Sequence, residues 1–215
     1  MAKLKWRWSK VVVFLLGLTP LLWLGWRAWN HRLTANPIEF ITHYTGDWTL
    51  RMVVIGLAIT PLRKILNRPN LIRYRRMVGL FAFFYGCLHF TTWIWLDKFF
   101  VIADLLEDVG KRRYITVGFS AFALMIPLAV TSTAGWIRRM GGKRWNRLHQ
   151  AIYVTAVLGV VHYYWLVKSD IRQPLLYAAL VTLLLGWRIH QKMRNSRRTP
   201  AVPARKTAQT IVSVK

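Results

Sequence analysis

The chain has 215 residues, 54% of them apolar, with 32 Lys+Arg against 7 Asp+Glu and a single cysteine, Cys87. A formal charge of +25 would ordinarily point to nucleic acid, yet a mean hydropathy of +0.27 gathered into long unbroken apolar runs is how a chain solvated by lipid is written. One cysteine excludes an internal disulfide and any cysteine-ligated zinc or iron–sulfur centre, and the composition excludes a secreted disulfide scaffold and argues against a DNA-binding domain.

In chain order, a basic N-tail (residues 1–10) precedes six apolar runs: roughly Val11–Trp29, Trp48–Leu62, Met77–Leu96, Tyr114–Trp136, Leu148–Val167 and Pro174–Trp187. A spanning helix needs about 20 apolar residues, or about 17 at the short end, so the second and sixth runs must borrow flanking residues. Arg51 lies near one end of the second run, where its long side chain can snorkel. The first run follows Lys3, Lys5, Arg7 and Lys10 as a secretory signal would, but no small-residue cleavage site follows it, and an uncleaved first span is expected. Between the third and fourth runs, Phe99–Gly110 is too short to span. It predicts an amphipathic surface helix with Asp104, Glu107 and Asp108 on one face, where the acids either solvate that face or dock a basic partner. Residues 193–215 lose periodicity and gain Ser, Thr, Pro and Arg, the pattern of a disordered tail. The expected fold is all-α: six transmembrane helices over residues 11–192, with both termini cytoplasmic.

Charge sets that orientation. With the N-terminus inside, more than two thirds of the 32 Lys+Arg fall in the N-tail, Arg63–Arg76, Arg138–Arg147 and Arg188–Lys215, while all seven acids fall in the outer pieces; the reverse arrangement would violate the positive-inside rule. The net charge is thereby explained as a topology signal and an attraction to anionic lipid. Trp29, Trp48, Trp93, Trp95 and Trp165 are expected at the outer interface.

No Asp, Glu or Lys falls in the middle of a run, which weakens a proton-pump or ion-coupled reading. Histidines do. His31 and His43 belong to the first outer loop, and His190 to the inner end of the sixth run. On the third and fifth runs, which point the same way, His89 lies about 20 Å past Arg76 and His162 about 22 Å past Arg147 at a rise of about 1.5 Å per residue. Two neutral imidazoles at one height on parallel helices suit a flat, axially ligated cofactor, and haem iron is the natural candidate, with Phe84, Tyr85, Phe90, Tyr163 and Tyr164 available to form its slot. An interhelical hydrogen bond is the alternative for each His taken singly. His149 lies at the inner interface, about 20 Å from His162 and about 140° around an ideal helix from it. It is a candidate for a second haem, with His190 as one conceivable ligand, or for an electron-entry, flavin or quinone site.

Two His on one span facing a His on a parallel span resemble the ferric reductase-like transmembrane domain shared with NADPH oxidases. Relatives of that kind carry two His on each span; one is missing here on the third. The closer resemblance is to the haem-binding membrane subunits of bacterial methionine sulfoxide reductase systems, the MsrQ (formerly YedZ) family. It is carried by Ala58–Arg63, Arg75–Leu80 through Leu88-His89-Phe90, Tyr114-Ile-Thr-Val-Gly118, Leu128–Thr133, Trp145-Asn-Arg-Leu-His149 and Val161-His162-Tyr-Tyr-Trp165. Where a Pro is expected before Tyr114, this chain has Arg113. The resemblance implies an inner-membrane haem b protein that also holds FMN. Its donor would be the quinone pool or a cytosolic flavin reductase, and its acceptor a periplasmic molybdopterin methionine sulfoxide reductase subunit (MsrP-like). It carries over His89 and His162 as axial ligands and His149 as the third family histidine, and assigns no FMN residues. A small transporter or channel with buried His, and a ferric metalloreductase, are the competing readings. The latter would need a nucleotide-binding unit, and no G-x-G-x-x-G motif is present.

Overall fold

The computed structural model describes residues 2–167 and 169–198. They form α1 (Ala2–Trp29), α2 (Pro37–Ile65), a 3₁₀ turn (Pro69–Tyr74), α3 (Arg75–Thr92), a π turn (Trp93–Asp97), α4 (Ile102–Lys111), α5 (Arg113–Val130), α6 (Ala134–Met140), α7 (Gly142–His149), α8 (Ala151–Leu166) and α9 (Arg172–Arg198). No strand occurs among the described residues. Two helix pairs make the most extensive contacts, α2 with α3 and α5 with α8. A core of Val53, Leu57, Val78, Ala82, Tyr85, Met125 and Ala156 joins them, and α9 packs against α2 and α8.

The protein is a membrane protein. Among the described residues three helical stretches are long and apolar enough to cross a bilayer: Trp8–Trp29, Pro69–Asp97 and Arg113–Val130. Leu16, Leu22, Trp23 and Trp26 on α1 and Leu176 and Leu183 on α9 face outward, as lipid-facing side chains do. The other runs depart from their apolar limits for local reasons. Helix α2 begins at Pro37, well before Trp48, because Asn36 is its N-cap: the Asn36 side chain accepts from Glu39 N (3.3 Å) and donates to Glu39 Oε2 (2.9 Å), with Pro at the first helical position. His43 and Asp47, assigned to a loop by composition, therefore ride on a helix. The fourth run breaks after Val130, where Thr131 and Ser132 donate their hydroxyls to Pro127 O (2.6 Å) and Leu128 O (2.7 Å) and Thr133 caps α6, the local competition that disfavours helix interiors. Helix α9 continues through Gln191, Lys192, Met193 and Arg194, all good helix formers, to Arg198. The expected disordered tail is thus helical as far as Arg198, and residues 199–215 lie outside the described residues.

Each of the prolines inside α1, α2 and α5 frees a carbonyl four residues back, and at Pro20 and Pro61 a side chain meets it. Leu16 O, freed by Pro20, accepts from Thr19 Oγ1 (2.8 Å). Leu57 O, freed by Pro61, accepts from Arg188 Nη2 (2.8 Å), while Arg188 Nη1 donates to Tyr153 OH (2.9 Å). Arg188, counted among the inner basic residues, ties α9 to α2 and α8.

Helix α4 is clamped to the bundle by its own acid. Asp108 is only 6% exposed; it pairs with Lys98 Nζ at 2.6 Å and with Arg112 Nε at 3.2 Å. The expected three-acid face is therefore two acids, Asp104 and Glu107, with Asp108 turned inward. The hydrogen bond to Asp108 raises the Lys98 ammonium above its ordinary range. A raised folded-state value means that this contribution is complete below the unfolded lysine value of about 10.4 and fades only as pH climbs past it.

Replacing Asp108 by Asn should lower the local stability of α4 by about 2 kcal/mol, read as faster amide exchange across Ile102–Lys111 with exchange inside α5 unchanged. Arg188→Met should lower global stability by about 2 kcal/mol by orphaning a buried carbonyl. Adding Pro61→Ala, which closes that carbonyl within α2, should recover part of the loss in a detergent thermal melt.

Candidate functional site

A cavity of about 520 Å³ lies between α2, α3, α5 and α8, within the range of about 300–1,000 Å³ typical of cofactor sites. Leu50, Val53, Ala121, Met125 and Thr155 line it at one end, and Asn36, Glu39, His43, Asp97 and Arg112 line it at the other. Its aromatic wall comes from Phe90, Phe119 and Phe122, with Phe90 and Phe122 stacked at 4.6 Å.

His89 and His162 both line this cavity. Each is positioned by the same local device. His89 Nδ1 is 2.9 Å from Thr42 O on α2, and His162 Nδ1 is 2.6 Å from Tyr114 O on α5. A carbonyl only accepts, so each Nδ1 carries the proton and each Nε2 presents a lone pair. Four residues beyond each carbonyl stands a glycine. A Cβ on Gly46 would meet His89 Cε1 at 3.0 Å and Nδ1 at 3.1 Å; one on Gly118 would meet His162 Nδ1 at 2.5 Å. The absent side chains are what let the imidazoles lie against the neighbouring backbones.

The two ring centroids are 6.1 Å apart and the planes are inclined at 74°. One metal ion between two imidazoles, with bonds of about 2 Å and about 1 Å more to each ring centre, sets a separation of about 6 Å. Among the described residues no group of three or more His, Cys, Asp and Glu could hold a metal ion. Two imidazoles on a mostly apolar and aromatic slot could hold a metal that brings its remaining ligands with it, as a macrocycle does.

The other histidines are elsewhere. His149 is outside this cavity; its ring stacks on Trp145 at 3.9 Å and its Nε2 lies 3.1 Å from Thr131 Oγ1. His43 is exposed but lines the cavity mouth. His31 and His190 are exposed. Of the expected slot residues, Phe90 and Tyr163 line the cavity. Tyr85 turns away and donates to Gly17 O on α1 (2.7 Å), Phe84 packs against the core, and Tyr164 is 46% exposed. Trp48 and Trp93, expected at the interface, have buried indole nitrogens, and Trp93 lines the cavity. Asp47 also lines it, bonded to Tyr163 and 3.7 Å from Arg51. Arg51 in turn donates to Tyr177 OH (3.1 Å) on α9, while its side chain stays 40% exposed.

Residues 45–160 match the family model of the ferric reductase like transmembrane component. Proteins named protein-methionine-sulfoxide reductase heme-binding subunit MsrQ are similar over most of the chain. That of Herminiimonas arsenicoxydans is 53% identical over 182 residues, 84% of each chain. That of Xanthomonas campestris pv. campestris (strain 8004) is 48% identical over 199 residues, 90% of each. That of Bordetella pertussis (strain Tohama I / ATCC BAA-589 / NCTC 13251) is 50% identical over 182 residues, covering 84% of this chain and 88% of the relative. The chain belongs to the MsrQ family. The ferric reductase-like match includes His89, Gly46, Gly118 and His149 and stops two residues short of His162. No solved structure matches this MsrQ-family chain.

Proposed function

We propose that this chain is a haem b electron relay of the inner membrane, with His89 and His162 as axial ligands of one haem. The observation that carries the reading is the imidazole pair: both rings lie on one cavity, 6.1 Å apart, with each Nδ1 committed to a backbone carbonyl. The relatives are named heme-binding subunits, which supports the same group here. When bound, the iron supplies one-electron redox chemistry at a potential set by its ligands and surroundings. The residues of this chain do the rest. The carbonyls of Thr42 and Tyr114 hold the ring orientations and raise the basicity of the ligating nitrogens. Phe90, Phe119 and Phe122 exclude water, and Gly46 and Gly118 keep the approach open.

In this reading six spans place both termini in the cytoplasm, on the strength of the Lys and Arg distribution, and the cavity mouth faces the periplasm. Electrons come from the quinone pool or a cytosolic flavin reductase, enter near His149, and leave to a periplasmic molybdopterin subunit of the MsrP kind that reduces methionine sulfoxide in oxidised proteins. His149, stacked on Trp145 and bonded to Thr131, serves the inner side, as an electron-entry site or as part of a second haem site. FMN enters from the family resemblance alone. The molybdenum chemistry belongs to the partner.

Replacing His89 or His162 by Ala should abolish the low-spin haem spectrum of the purified protein; full retention in either variant would overturn the pairing. Gly118→Ala should weaken haem retention by about 10- to 100-fold by displacing the His162 ring from its carbonyl, and more than Gly46→Ala, although Ala favours a helix interior by about 1 kcal/mol. His149→Ala should slow reduction from the donor side while leaving the spectrum of this haem intact. A reporter fused after Lys215 should read as cytoplasmic.

A further inference from the structure

At the open end of the cavity two hydrogen-bonding side-chain atoms are buried without a partner among the described residues: Trp93 Nε1 and Thr42 Oγ1. An indole N–H can only donate, and a buried donor left unmade costs about 1–3 kcal/mol, so the cavity is built for an occupant that brings an acceptor to this rim. The π turn that follows α3 sets Trp93 here, a geometry that recurs at functional sites. Arg112 lines the same mouth, anchored through Asp108 and the Tyr114 hydroxyl. The acids at the mouth are each turned to a neighbour of their own: Glu39 accepts from Asn36 Nδ2 at 2.9 Å, Asp97 lies 4.0 Å from Lys98 Nζ, and Asp47 lies 3.7 Å from Arg51. At the opposite end the lining is Leu50, Val53, Ala121 and Met125, with Thr155 the polar exception, its hydroxyl also buried without a partner among the described residues; a neutral hydroxyl there offers no counter-charge. A charged group would be costly there and is far better placed at the mouth.

Resting on the haem reading above, we propose that Trp93 and Thr42, beside Arg112, bind the carboxylate arms of the porphyrin, fixing the macrocycle with its acidic edge toward the cavity mouth. Hydrogen bonds from the indole and the hydroxyl to a carboxylate are charge-assisted and short, about twice as strong as neutral ones. They would decide which way round the ring enters, a choice the two axial imidazoles leave open because they grip the iron from its two faces.

The test uses the full chain, freed of haem and held in nanodiscs, titrated with iron protoporphyrin IX and with its dimethyl ester while the Soret band is followed. The wild type should bind the diacid at least about tenfold more tightly than the ester. Trp93→Phe, which keeps the ring and loses the N–H, should shrink that ratio while leaving the low-spin spectrum of the bound complex unchanged, and Thr42→Val should shrink it as well. Equal affinity of the wild type for both porphyrins, or an undiminished ratio in both variants, would overturn the rim assignment and leave the axial pair standing. A low-spin spectrum with neither porphyrin would overturn both together.

Discussion

The site depends on one constraint: each of two imidazoles is pinned, through Nδ1, to a main-chain carbonyl of the helix it leans on. That bond does three things at once. It fixes the tautomer, so that both Nε2 atoms are acceptors. It fixes the ring plane, because Thr42 O and Tyr114 O belong to helices. It also couples the two helix pairs, since His89 links α3 to α2, His162 links α8 to α5, and the rings then meet across the space between. Within an apolar slab such a polar contact has little water to compete with it, and the glycines four residues on make room for it.

Much of this was legible in the sequence. The apolar runs located the segments that become α1, α3, α5, α8 and α9, and counting residues from the nearest basic cluster put His89 and His162 at one depth, which holds because α3 and α8 run the same way and lack proline. The glycine and carbonyl arrangement was hidden. Tyr114-Ile-Thr-Val-Gly118 and Thr42-His-Tyr-Thr-Gly46 share the spacing, but a main-chain acceptor leaves no mark of its own in composition, and the glycine is informative only once its facing partner is known.

Where the reading from composition went astray, polar residues were satisfied inside the protein. Asp47 and His43 looked like a loop because they are polar; a capped helix carries them past the cavity mouth. Arg51 looked like a group reaching for headgroups, and it also finds Tyr177 and Asp47; Arg188, counted with the inner basic residues, finds Tyr153 and a proline-freed carbonyl. Hydropathy measures each residue against solvent and is blind to partners on distant helices, which is why the helix limits and the slot residues were its weakest results. Tyr85, Phe84 and Tyr164 illustrate the point: a large side chain next to a key histidine in sequence points elsewhere on a helix, each residue being turned by about 100° from the last.

The clamp on α4 has a mechanical reach beyond its own helix. Arg112 closes the ion pair with Asp108, and Tyr114, two positions along, supplies the carbonyl to which His162 is tethered. The anchor of this exposed helix and the tether of a buried ring are thus separated by two residues of backbone, so the seating of α4 and the tilt of the ring share one short mechanical support.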